Sequence, residues 1–152
     1  IRKALEVISK DEAARTCTSL IETSVPDLVV AFQRLCECVY PQIEGAKPLK
    51  RNVFQRLDDG NKLWHDLVGK GYDDWITDVQ YAKLRKCFQQ RHLLQHQDGI
   101  VDQDYITKSG DVSYQVGQHL IIKPEDITEY AGIVEALGKQ VLALLEEVKV
   151  NE

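Results

Sequence analysis

Apolar residues recur along most of this chain at the three- and four-residue spacing of amphipathic helices. Ser9 with Glu12 forms a capping box that starts a helix near Lys10, and Ala13, Ala14, Cys17, Leu20 and Ile21 supply its apolar face. Ser24 with Asp27, and Pro26 in the first turn, restart a helix whose face runs Leu28, Val29, Phe32, Leu35, Cys36, Val39. Pro41 and Gly45 loosen or end it, and the two segments are expected to form an antiparallel pair. Val53, Phe54, Leu57, Trp64, Leu67 and Val68 mark a third helix, weakened at Asp59-Gly60 and stopped by Gly69 and Gly71. A fourth is predicted from about Asp73 to His96, with the stripe Trp75, Ile76, Val79, Leu84, Cys87, Phe88, Leu94. Arg91 falls in the middle of that stripe, where a charge is costly unless it is paired or faces a ligand or a subunit seam.

Asp98-Gly99 turns the chain, Asp102 could cap a short helical turn through Tyr105 and Ile106, and Ser109-Gly110-Asp111 breaks it again. Val112, Tyr114 and Val116, then Leu120 and Ile122, alternate with polar residues across Gly117-Gln118, which predicts a hairpin. Pro124, with Glu125 and Asp126 behind it, opens the last helix. Its stripe is Ile127, Tyr130, Ala131, Val134, Leu137, Val141, Leu144, Leu145, Val148. The expected fold class is all-α: a bundle of about five helices with a short extended hairpin excursion between the last two long ones. Residues 1–152 are expected to form one domain, since no internal repeat, low-complexity tract or linker interrupts them.

Composition narrows the class. A hydrophobic fraction of 43% and a charged fraction of 28% are those of an ordinary globular chain. No apolar run approaches the ~18 residues that span a bilayer, and there is no basic-then-apolar leader, so no membrane partner is expected. The chain starts at Ile1 and contains no methionine, which suggests a fragment of a longer protein with flanking domains. Besides Cys17 and Cys87, Cys36 and Cys38 are two apart on a predicted helix, so their side chains diverge, and no histidine lies at metal-ligand spacing from that pair. Reduced thiols in a cytoplasmic protein are expected, with no metal and no cofactor.

Charge changes the picture more. The net charge is −5, yet from Val79 through Gln97 there is no acid, while Lys83, Arg85, Lys86 and Arg91 are all basic. Ala46 to Leu57 is a second acid-free stretch, with Lys47, Lys50, Arg51 and Arg56. Such islands suggest an anionic partner, although solvated helix faces balanced by neighbours account equally well for the second. The first ends in Arg91-His92-Leu93-Leu94-Gln95-His96. A histidine exchanges protons near neutral pH, and an arginine offers a fork of donors matched to phosphate oxygens. Together they suit phosphodiester cleavage without a metal. On a continuous helix, however, a separation of five places Arg91 and His96 roughly 140° apart. Either the helix ends near Leu94 and His96 swings round, or a second copy of the motif contributes across a two-fold axis. A salt-bridged arginine beside a surface histidine is the plain alternative. His65 and His119 are expected to be structural or exposed. Trp64, Trp75 and Tyr81 could stack bases but are expected in the core.

The run Arg91 to His96, continued by Gln97-Asp98-Gly99-Ile100-Val101-Asp102, resembles the signature of the HEPN (higher eukaryotes and prokaryotes nucleotide-binding) family. That family's motif is Arg-x(4–6)-His with a polar residue straight after the arginine, a slot that His92 fills. Tyr105, Ser109-Gly110-Asp111 and Val116-Gly117, leading to a closing amphipathic helix, are similar to a prokaryotic branch, so the likeness covers about Lys83 to Ile127. The resemblance implies a small helical bundle that dimerises so that two motifs form one cleft. It implies a metal-independent endoribonuclease of a toxin, anti-phage or RNA-processing kind, with RNA as partner and an antitoxin as a further one. Carried over, Arg91 would hold the scissile phosphate, His96 would act as general base or acid, and His92 would be a supporting polar contact. Attack by the RNA's own 2′-hydroxyl would leave a 2′,3′-cyclic phosphate. From charge, Lys83, Arg85 and Lys86 would guide the RNA backbone. A catalytically inactive dimerisation, partner-docking or nucleotide-binding module is the alternative.

Overall fold

One helix dominates the architecture. In the computed structural model, which describes the backbone of residues 2–150 and side chains from Ala4 to Glu147 apart from Leu5 and Ile8, α1 runs unbroken from Arg2–Val39. The expected helical pair is therefore a single helix with Pro26 inside it. The helix start expected near Lys10 is absent, since Ser9 and Glu12 lie inside α1, and the capping that would have restarted it at Ser24 does not form. Ser24 Oγ donates to the Leu20 carbonyl at 2.7 Å and Thr23 Oγ1 to the Ser19 carbonyl at 2.7 Å, the back-bonding of residues inside a helix. Val25, Val29, Phe32, Cys36 and Val39 form one buried stripe across the proline. Fully burying side chains of this size is worth about 1.5–3 kcal/mol each, which together outweighs the ~3 kcal/mol of an interior proline. The segment before Ile21, expected to pack on its neighbour, instead exposes every described side chain, Ala13, Ala14, Cys17 and Leu20 included.

Two 3₁₀ turns, Tyr40–Gln42 and Val53–Gln55, lead to α2 (Leu57–Val68). Gly69 closes α2 in the left-handed region at φ 80°, as expected of it. Asp59-Gly60, expected to weaken this helix, lies inside it. Tyr40, Phe54, Trp64, Tyr72 and Trp75 form a chain of tilted and edge-on ring contacts 5.4–6.3 Å apart, with Trp64 in the core and Trp75 half-buried against it. The predicted fourth helix divides into α3 (Tyr72–Trp75) and α4 (Asp78–His96). Thr77 accepts from Gln80 N at 3.1 Å while Gln80 Oε1 accepts from Thr77 N at 2.9 Å, a reciprocal cap that starts a new helix. Val79, placed on the predicted apolar stripe, is consequently on the outside.

Asp102 caps α5 (Gln103–Ser109) by accepting from Tyr105 N, and Gly110 ends it. The expected hairpin does not form: among the described residues there is no strand, only the isolated bridge of Ile100 with His119. Gly99 and Val101, the residues just after α4, take the pairing partners instead. Val101 N donates to Gln118 O at 2.9 Å, Gly117 N to Val101 O at 2.8 Å and Leu120 N to Gly99 O at 2.8 Å. The Val112 limb cannot be extended because Asp111 bends it, accepting from Ser113 N at 3.0 Å, and Val112 is left 93% exposed. α6 (Pro124–Val150) follows Pro124 as expected and packs on α1 and α4. Its stripe buries Tyr130, Leu137 and Val141; the Val148 side chain lies outside the described residues. The result is an all-α bundle, and among the described residues no helix is long and apolar enough to cross a membrane.

Candidate functional site

α4 carries the Arg91–His96 segment and stays helical through all of it. Its end is fixed by Gln97 N and Gly99 N, which both donate to the Leu93 carbonyl, with Asp98 and Gly99 left-handed at φ 53° and 74°. The helix therefore does not end at Leu94, and His96 does not swing round towards Arg91. The two remain on different sides of one helix. His92 and His96, four apart, are the pair that meets, with ring centroids 4.9 Å apart.

Arg91 lies at a cleft of about 590 Å³, within the ~300–1,000 Å³ range of ligand sites. Three segments build it. α4 contributes Arg85, Phe88, Gln89, Arg91 and His92; the start of α2 contributes Gln55 to Asp59; α5 contributes Lys108. Arg91 is only 8% exposed, and among the described residues no carboxylate pairs with it. Its Nη1 donates to Gln95 Oε1 at 2.7 Å, and its Nε is buried without a partner. Burial lowers its pKa, although an arginine stays protonated in a protein. A buried guanidinium with an unused donor is a costly arrangement that an anion would relieve.

The other cations divide. Arg56 is paired with Asp59 at 2.5 Å and Arg85 with Asp58 at 3.3 Å, both at the cleft. Lys108 has no carboxylate partner among the described residues, so Arg91 and Lys108 are the uncompensated charges here. His92 is held below its usual pKa by desolvation and by the charges of His96, Arg91 and Lys108, so its neutral imidazole prevails at neutral pH. Lys83, Arg85 and Lys86, expected to act as one basic group, are dispersed. Lys83 pairs with Glu129 on α6, Lys86 lies 3.6 Å from the buried Asp111, and only Arg85 reaches the cleft, its guanidinium 5.1 Å over the Tyr81 ring. His96 does not line the cleft. Arg56 and Lys108 join Arg91 at the cleft without a common sequence signal, although Arg56 stands in the second basic island. Nothing in the spacing of Lys108 signals its position.

Beneath the site, α4 is locked by a buried polar network. Tyr130 Oη donates to Gln90 Oε1 at 2.9 Å, Gln90 Nε2 donates to Tyr105 Oη at 3.4 Å, and Tyr105 Oη donates to Asp111 Oδ2 at 2.7 Å. These bonds tie α6, α5 and the segment after α5 to the residue immediately before Arg91. Trp64 is fully buried and unavailable to a base, while Tyr81 gives its hydroxyl to Asp58. No protein-family model, no curated protein and no solved structure matches this chain.

Proposed function

We propose that the cleft binds an RNA phosphodiester through Arg91 and that the protein is an endoribonuclease whose complete site forms between two copies. The observation that carries this reading is Arg91, a buried residue without a carboxylate and with its Nε unpartnered, at a cleft that also holds Lys108 and His92. Its chemistry suits a bridging phosphate, whose charge grows as the bond to the attacking oxygen forms. The 2′-hydroxyl oxygen attacks phosphorus, the bond to the 5′-oxygen breaks, and the products are a 2′,3′-cyclic phosphate and a 5′-hydroxyl. One proton leaves the 2′-oxygen and one joins the 5′-oxygen, so the step needs a base and an acid. Because His96 faces away from its own Arg91, a second copy would supply it, so that each site pairs one Arg91 with the partner's His96, whose imidazole carries the proton from the 2′-oxygen to the 5′-oxygen. Lys108 and Arg85 would hold flanking phosphates, Arg85 by leaving Asp58.

The test is cleavage of end-labelled RNA in EDTA, with the product end identified. The parent should leave a cyclic phosphate, and Arg91→Gln and His96→Ala should each lower the rate by about a hundredfold or more. Mixing the two inactive variants should restore about a quarter of parental activity, since half the dimers are mixed and half of their sites complete. Cleavage that is absent in the parent, or that survives both substitutions, ends the reading. A second reading, a nucleotide-binding pocket that does not cut, is favoured by the absence of His96 from the cleft lining. Calorimetric binding of a mononucleotide that is lost in Arg91→Gln, with no RNA cleavage, would select it.

A further inference from the structure

A second cluster of chemistry-bearing side chains stands at the corner between α2 and α3, sharing no residue with the Arg91 cleft. Asn61 and His65 are four apart on α2 and so lie on one face of it. Gly69 ends the helix, Gly71 leads into the first turn of α3, and that turn brings Asp73 and Asp74 back over α2. His65 Nε2 is 2.6 Å from Asp73 Oδ1 and 3.6 Å from Asp74 Oδ2, and donor atoms of all three residues lie within 4.8 Å of one another. Four ligands at ~2.0–2.1 Å around a tetrahedral ion stand roughly 3.3 Å apart, so this spacing needs little adjustment to close on one cation.

An ion pair of His65 with Asp73 would explain those two groups alone. It leaves two observations over. Asn61 Oδ1 is shut off from solvent and has no hydrogen-bond partner, a cost of about 1–3 kcal/mol for a buried acceptor. Gly71 has an extended φ of −139°, which any residue adopts, so glycine is not there for conformation. It is there for space. A Cβ on Gly71 would collide with Asn61 Oδ1 and stand 2.8 Å from His65 Nε2. The unused amide oxygen and the imidazole nitrogen therefore both lie against the Gly71 backbone, whose N–H donates to Asp74 Oδ2 at 3.0 Å, next to the two carboxylates.

We propose that Asn61, His65, Asp73 and Asp74 bind a divalent cation of the zinc and cobalt class, which joins α2 to α3. One imidazole nitrogen with carboxylate and amide oxygens selects such borderline ions over calcium or magnesium, which favour all-oxygen sets. Two carboxylates balance the charge of the ion. The half-exposed positions of His65, Asp73 and Asp74 leave room for water as a further ligand.

Cobalt(II) is the probe, because its visible absorption reports coordination directly. The protein would carry Cys17→Ser and Cys38→Ser, since these two exposed thiols are the rival ligands. Titration of the EDTA-stripped protein should give saturable visible absorption at one equivalent and a raised Tm. His65→Ala, Asp73→Asn and Gly71→Ala should each weaken binding at least about tenfold. All three positions are at the surface or in a loop, and circular dichroism of the metal-free variants would confirm that they fold. Absence of saturable absorption, or binding unchanged in His65→Ala, overturns the proposal. RNA cleavage in EDTA plays no part in this test, so the two sites stand or fall separately.

Discussion

Two neighbouring residues on α4 carry opposite lessons about buried polarity. Gln90 is 2% exposed and finds Tyr130 on one side and Tyr105 on the other. Arg91, 8% exposed, finds only Gln95. A satisfied polar group in a core holds structure in place, whereas an unsatisfied cation beside a cleft marks a place for something else. Asp111 belongs to the first kind. Burial alone would raise its pKa, but hydrogen bonds from Ser113 and Tyr105 and the charge of Lys86 more than offset this and hold it below the usual carboxylate range. A depressed folded-state pKa stabilises the fold at pH values above the unfolded pKa, and the contribution is lost as pH falls through the folded one. Asp111→Asn should therefore cost about 1–3 kcal/mol in urea melts at pH 7. The difference from the parent should shrink as the pH is lowered into the acid limb, and a gap that does not change with pH would show that Asp111 contributes through shape alone.

At the scale of elements, Gly60 makes a prediction that runs against propensity. Glycine to alanine inside an exposed helix is ordinarily worth ~1 kcal/mol of added stability. In α2 the new Cβ would stand 2.8 Å from Tyr72 Oη and 3.0 Å from Phe54 Cδ1, both in rings that are 1% exposed. Overpacking costs about 1–3 kcal/mol, so Gly60→Ala should lower Tm, and a rise would mean that the α2–α3 corner is looser than its contacts indicate. The same residue shows where the sequence was hard to read. Asp59-Gly60 carries a turn signal, but the glycine answers a ring from α3 that local spacing does not reveal. Pro26 is the converse: its signal for a helix start is genuine, and it yields to a stripe of buried residues on both sides of it. The break at Thr77 is legible, because Thr77 and Gln80 form a reciprocal capping pair, whereas Ser9 and Glu12, equally plain in sequence, lie inside α1. α5, α6 and the turn at Asp98-Gly99 stand where their caps and glycines put them.

At the scale of the molecule, the placement of Arg91 within an apolar stripe was enough to expect a buried cation needing a partner, and the fold supplies the cleft. What the order of residues could not supply is the meeting of Arg56, from before α2, with Lys108, from the end of α5, since neither approach depends on local spacing. The dispersal of Lys83 and Lys86 to Glu129 and Asp111 is likewise tertiary. A stretch without acids in sequence is therefore not a stretch without acids in space. The long α1 has a consequence of another sort. A helix of 38 residues is about 57 Å long, whereas a chain of this size packed evenly, with a radius of gyration near 15 Å, is only about 39 Å across. Small-angle X-ray scattering should then give a pair-distance distribution with a long tail reaching at least about 57 Å, skewed like that of a pin with a head. A symmetric, bell-shaped distribution would mean that the first half of α1 folds back in solution. If the tail is present, the molecule tumbles as a lever, and a label near Cys17 would report motions of the head amplified by its distance from it.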